Sequence, residues 1–121
     1  GEDACFDLTA IYSGIDDYGN VFYEFGLVFE IPKGYVGLIF PRSSNCQKDL
    51  LLSNSVGVID SGYRGSVSAK FKKTDSNANQ WQDGDRVCQM MIIPYPHIEF
   101  EEVKELSPSL RGIGGYGSTG K

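Results

Sequence analysis

The sequence predicts an all-β protein, a jelly-roll-like β-sandwich or distorted barrel, on three observations. Apolar residues recur with period two in several short runs, Gly-, Pro-, Asn- and Asp-bearing turns separate those runs, and no window carries a helical stripe. The 121 residues fit one domain. Charged residues at 22 % and apolar residues at 40 % are globular usage, and no internal repeat is present.

The longest alternating run covers residues 21–31. Val21, Tyr23, Phe25, Leu27, Phe29 and Ile31 share one face, with Glu24 and Glu30 on the other, which is the pattern of a half-buried strand. A strand ending at Phe40 follows the Pro32-Lys33-Gly34 turn, and residues 43–50 make at most two short turns. Residues 54–65 read as two short strands joined at Asp60-Ser61-Gly62. Val67, Ala69 and Phe71 alternate with Ser66, Ser68 and Lys70, and Ile98 and Phe100 alternate with Glu99 and Glu101. Residues 86–93 are apolar on both faces, as expected of a strand buried between layers or at a subunit contact. The last eleven residues hold five glycines and little that packs a core, so they form an arm that is mobile when empty.

Composition removes several function classes. Eleven basic against 16 acidic residues give a net charge of −5, which argues against a general binder of nucleic acid or anionic membrane. Small polyanions remain possible ligands, because a few arginines and backbone N–H groups hold phosphate locally. No run reaches the ~18 apolar residues of a membrane span, and the first residues lack the basic-then-apolar order of a signal peptide. Cys5, Cys46 and Cys88 stand far apart beside a single histidine, His97, which supports neither a disulfide framework, a zinc site nor a catalytic triad. Three idle thiols point to a reducing, cytoplasmic setting.

Three segments carry chemistry. Pro41-Arg42-Ser43-Ser44-Asn45 reads equally as an ordinary turn or as a phosphate cradle of Arg, hydroxyls and N–H groups. Asp60 ends an apolar strand, where its carboxylate either activates a water or merely opens the turn. The arm matches a dinucleotide fingerprint (Gly112, Gly114, Gly117) and most of a P-loop (residues 115–121), but neither has the following helix it needs. What survives is an anion wrap with hydroxyls from Ser118 and Thr119, a fork from Arg111 and a flat ring from Tyr116.

Taken in order, these fragments resemble the five motifs of the trimeric dUTPase family, the deoxyuridine triphosphate nucleotidohydrolases. The first corresponds to Ala4-Cys5-Phe6-Asp7-Leu8-Thr9-Ala10 and the second to Pro41-Arg42-Ser43-Ser44-Asn45. The third is Gly57-Val58-Ile59-Asp60-Ser61-Gly62-Tyr63-Arg64-Gly65, preceded by Asn54. The fourth is Gly84-Asp85-Arg86-Val87-Cys88-Gln89, and the fifth runs from Arg111 to Gly120. The likeness covers essentially the whole chain. Cys5 stands where the family usually has Gly, Gly62 where it has an acid, Cys88 for Ala and Tyr116 for Phe.

The resemblance implies Mg²⁺-dependent hydrolysis of dUTP to dUMP and pyrophosphate by water attack on the α-phosphate. Such a reaction limits uracil incorporation into DNA and supplies dUMP for dTMP synthesis. Asp60 matches the carboxylate that deprotonates the water, while Arg42, Ser43, Ser44, Gln89 and Arg111 match groups on the phosphates. Mg²⁺ travels with the triphosphate, and Asp7 matches the Asp that reaches it through water. The Asn54 amide and backbone groups around Gly57, Val58, Ile59 and Ser68 would read uracil, with Tyr63 against the deoxyribose. Residues 1–110 would form the β domain, and residues 111–121 the arm that brings Tyr116, Gly117, Ser118 and Thr119 over the substrate. The implied assembly is a homotrimer with shared sites and a swapped arm. Two other readings, a dUTPase-like nucleotide-binding regulatory protein and a dCTP deaminase relative, are less favoured, because Asp60 and the whole fifth motif are present.

Overall fold

The computed structural model describes residues 1–120; Lys121, the end of the P-loop-like match, lies outside the described residues. Eight strands form: β1 (Phe6–Thr9), β2 (Tyr12–Ile15), β3 (Val21–Val28), β4 (Tyr35–Pro41), β5 (Leu50–Leu52), β6 (Gly57–Ile59), β7 (Ser66–Lys73) and β8 (Arg86–Pro94). They build two antiparallel four-stranded sheets, β1-β8-β4-β6 and β2-β3-β7-β5. Both sheets keep free edges, so of the expected alternatives the sandwich is realised and the closed barrel is not. Among the described residues no helix is long and apolar enough to cross a membrane.

One core joins the sheets. Leu8, Ile39 and Met90 of the first sheet pack in the same buried cluster as Tyr23, Val67 and Phe71 of the second. Tyr23 and Phe71 meet edge to face at 5.7 Å, a favoured aromatic geometry. The Tyr23 hydroxyl donates to the Trp81 carbonyl at 2.9 Å, which satisfies a buried polar group. All three thiols are free, and burial pushes that of Cys88 up to about 12.

The run over residues 21–31 is a strand only as far as Val28. Gly26 takes φ +66°, and the Ile11 side chain occupies the space where a β-carbon would sit. The chain bends there, Leu27 and Val28 turn to solvent, and Ile31 re-enters the core. The two-turn expectation at residues 43–50 is met by one 3₁₀ turn over Ser43–Gln47. The alternation at 98–100 does not make a strand. No neighbouring strand takes its backbone groups, Pro94 and Pro96 precede it, and Phe100 is 99 % exposed.

Strand β8 explains its two-faced pattern. Cys88 and Met90 pair with Leu8 and Phe6 and are fully buried. On the other face, Gln89 is flanked by Asp7 and Phe40, Met91 by Leu38, and Ile93 by Val36. Val58 of β6 pairs with Leu38 and extends that apolar face. These residues stay part-exposed.

Candidate active site

Strands β6 and β7 and their connection build the first part of the site. The Tyr63 N–H donates to the Asp60 carbonyl at 3.1 Å, closing the turn. Arg64 ties it down by donating to the carbonyls of Ser61 (2.7 Å) and Tyr63 (3.2 Å). The turn therefore uses the backbone of Asp60 and leaves its carboxylate for other work. Asp60 lines a cavity of about 160 Å³ with Val58, Ile59, Tyr63 and Ser68. A second hollow of about 340 Å³, which shares Ser68 with the first, takes in Asn54 and Gly57. Of the two strands expected over residues 54–65 only β6 forms, because residues 63–65 find no partner strand, and β6 and β7 belong to different sheets. The expected base- and sugar-reading residues gather around β6, the turn after it and β7.

The second part lies at the end of the first sheet. Arg42, Ser43, Asp7 and Gln89 line a polar hollow of about 350 Å³. Strand β1 supplies Asp7, β8 supplies Gln89, and the end of β4 delivers Arg42. The Asp7 carboxylate sits between two guanidinium groups, 3.3 Å from Arg42 Nε and 3.3 Å from Arg86 Nη1. Arg42 Nη1 also donates to the Arg86 carbonyl at 3.0 Å, and Gln89 Nε2 donates to the Pro41 carbonyl at 3.1 Å. Ser44 Oγ is buried and has no partner among the described residues. An unmet hydroxyl costs about 1–3 kcal/mol, and Ser44, unlike Ser43, does not line the hollow.

The described residues hold no group of three or more His, Cys, Asp or Glu side chains able to grip a metal. Asp7, 35 % exposed and beside Ser43, fits the other mode of Mg²⁺ binding, in which the ion keeps its waters and comes with substrate phosphates.

The arm stands apart from both parts. Arg111 Nε donates to the Gly114 carbonyl at 2.8 Å, Ser118 N–H to the Gly115 carbonyl at 3.1 Å, and the Tyr116 ring is fully exposed. Arg111, Tyr116, Gly117, Ser118 and Thr119 are therefore not brought to the other site residues within one chain.

Two supports escaped the motif reading. Arg86 flanks Asp7, and its place in the fourth motif was the available signal. Trp81 hydrogen-bonds the 3₁₀ turn through Asn45 at 2.9 Å; the only signal was a lone tryptophan in a polar loop.

Comparison with known proteins gives one answer. A family model described as dUTPase matches residues 1–120. The deoxyuridine 5'-triphosphate nucleotidohydrolase of Escherichia phage T5 is 36 % identical over 121 residues, covering 99 % of this chain and 79 % of the relative. That of Tropheryma whipplei (strain Twist) is 39 % identical over 122 residues, covering 98 % and 84 %. Among solved structures, the dUTPase of Staphylococcus bacteriophage 80alpha with dUPNHPP superposes with a TM-score of 0.82 at 25 % identity, covering 99 % of this chain and 88 % of that one. The family match over residues 1–120 and the shared sandwich agree with the order of the five motifs: this chain belongs to the dUTPase family, the dUTP diphosphatases.

Proposed function

We propose that the chain hydrolyses dUTP to dUMP and pyrophosphate, with Asp60 orienting and deprotonating the water that attacks the α-phosphorus. The observation that carries this is the Asp60 carboxylate, released from turn-making and set at the cavity bounded by Tyr63 and the β6 backbone. A positioned base of this kind supplies about 10²–10⁴-fold. The N–H and C=O groups of Gly57, Val58 and Ile59, with Ser68 and the Asn54 amide, read the uracil edge. A cytosine reverses a donor and an acceptor there and leaves buried groups unpaired. Tyr63 lies against the deoxyribose.

Arg42, Ser43, Ser44 and Gln89 hold the phosphates, and phosphoryl transfer rests chiefly on such positioning and charge neutralisation. Mg²⁺, when bound with the triphosphate, neutralises charge on the phosphate oxygens, and Asp7 holds one of its waters. Residues 1–110 form the body. Residues 111–121 close as an arm, with Tyr116 stacked on uracil, Gly117, Ser118 and Thr119 wrapping phosphate, and Arg111 adding its charge.

The cavities at β6 and β7, the polar hollow and the arm are separate on one chain, which supports a homotrimer whose sites are shared between subunits. The part-exposed apolar face of Val36, Leu38, Phe40, Val58, Met91 and Ile93 runs up to Gln89 and Asp7, a suitable surface for a second copy. Free thiols fit a cytoplasmic enzyme that limits uracil in DNA and supplies dUMP for dTMP synthesis.

The test is pyrophosphate release from dUTP with Mg²⁺, run beside dCTP, dTTP and UTP and repeated with a chelator. Release from dUTP alone, lost on chelation, supports the reading; no release with dUTP still bound overturns it in favour of a nucleotide-binding regulator.

A further inference from the structure

The 3₁₀ turn over Ser43–Gln47 holds two of the phosphate-binding residues, yet little within it keeps its shape. No side chain caps its start at Arg42, and none of its residues is fully buried. Short 3₁₀ segments have strained hydrogen bonds and do not persist unaided. Their orientation has to come from elsewhere in the fold.

It comes from the 74–85 loop, which no motif includes except at its last two residues. Trp81 Nε1 donates to Asn45 Oδ1 at 2.9 Å, and the same Asn45 amide donates through Nδ2 to the Leu50 carbonyl at 2.9 Å. The Lys48 ammonium lies 4.7 Å from the Trp81 ring centroid, a cation–π contact. Asn79 Nδ2 donates to the Gln47 carbonyl at 2.8 Å. The backbones of Asn79 and Asp49 are joined as well, by Asp49 N–H on the Asn79 carbonyl at 2.9 Å. Trp81 is itself anchored: it is 9 % exposed, and its carbonyl accepts the buried Tyr23 hydroxyl.

We propose that Trp81 is a positioning residue for the phosphate site. Acting through Asn45, it fixes the turn so that the Ser43 hydroxyl, which lines the polar hollow, meets a polyphosphate already oriented. Donors held in place before the ligand arrives do not have to be ordered when it binds, and that preorganisation is where electrostatic catalysis gains most. The inference rests on the reading of this turn as the phosphate cradle.

The test uses Trp81→Phe, which keeps an aromatic ring near Lys48 and removes the N–H donor together with part of the indole's volume. The expected result is a fall of about tenfold in kcat/KM for dUTP, matched by about tenfold weaker inhibition by pyrophosphate and by dUPNHPP. Inhibition by deoxyuridine, which has no phosphate, stays within twofold. Asn45→Leu removes the acceptor together with the Nδ2 bond to the Leu50 carbonyl, so it shows the same profile with a loss at least as large. Adding Trp81→Phe to it costs nothing further, because the shared bond is already gone. If Trp81→Phe only lowers the melting temperature, or weakens deoxyuridine as much as pyrophosphate, the proposal is overturned. Should Trp81→Phe fail to fold, Asn45→Leu carries the same comparison alone. A wild-type protein that releases no pyrophosphate from dUTP yet loses pyrophosphate affinity on Trp81→Phe refutes the proposed reaction and leaves the positioning role standing.

Discussion

Arg42 and Asp7 form an ion pair, Nε to Oδ1 at 3.3 Å, although one is the expected phosphate ligand and the other the expected support of a hydrated metal. Both side chains are partly exposed, at 25 % and 35 %. A pair of that kind is worth about 0–1 kcal/mol, so on the proposed function a metal-bound triphosphate would exchange it at little cost, with Arg42 turning to phosphate and Asp7 to the ion's water. Asp7→Asn should therefore raise the Mg²⁺ concentration needed for half-maximal turnover by roughly 10-fold or more, the usual effect of losing an outer-shell partner. A Mg²⁺ titration of dUTP turnover gives the number; an unchanged midpoint removes Asp7 from the metal's surroundings.

Asp60→Asn should keep dUPNHPP binding within a few fold and lower turnover by about 10²–10⁴-fold. The amide fills the same space but accepts no proton. Near-normal pyrophosphate release from this variant would show that another group is the base.

Removing residues 111–121 should abolish turnover while leaving the proposed trimer assembled, because the hydrogen bonds of residues 111–120 run locally and the apolar side chains Ile113 and Tyr116 are exposed. Light scattering on a sizing column reads the assembly, and pyrophosphate release reads the reaction. Dissociation to monomers would make the arm a structural tie.

Gly65→Ala should raise KM for dUTP by about tenfold. Gly65 is not among the positive-φ glycines, so space rather than backbone conformation demands it: a β-carbon there would strike the Tyr63 hydroxyl and Cζ. That hydroxyl donates to the Ser66 carbonyl at 2.9 Å and keeps the ring beside the cavity. In a Tyr63→Ala background the same change should have no further effect, which steady-state kinetics on the two pairs decides.

Acid should destabilise the fold partly through Asp16. Its carboxylate accepts from the Asn20 side chain at 2.9 Å and Lys70 Nζ at 3.0 Å, and from the N–H groups of Asn20 and Tyr18. These bonds, led by that of the Asn20 amide, hold its pKa well below the usual carboxylate range. A folded pKa below the unfolded value of about 3.9 means that this stabilisation is complete above that pH and fades as pH falls toward the folded value. Urea unfolding of wild type and Asp16→Ala should differ most at pH 5 and above, with the gap closing toward pH 2. A gap independent of pH would show that the carboxylate's charge is not what stabilises the turn.

Much of this protein is written locally. Period-two alternation gives β3 and β7, the two-faced run gives β8, and the turn residues between them give a sandwich, because strand burial depends on side chains two apart. The five motifs, in order, give the family. The sequence alone does not say that Asp60 closes its turn through the backbone, that Arg42 and Arg86 share Asp7, or that Trp81 braces the phosphate turn through Asn45. The arginine and tryptophan contacts span 35 to 79 positions in the chain, and they exist only after both sheets have set the register. Nor does local alternation decide whether 98–100 becomes a strand. That requires a neighbour to take its hydrogen bonds, and only the tertiary structure supplies or withholds one.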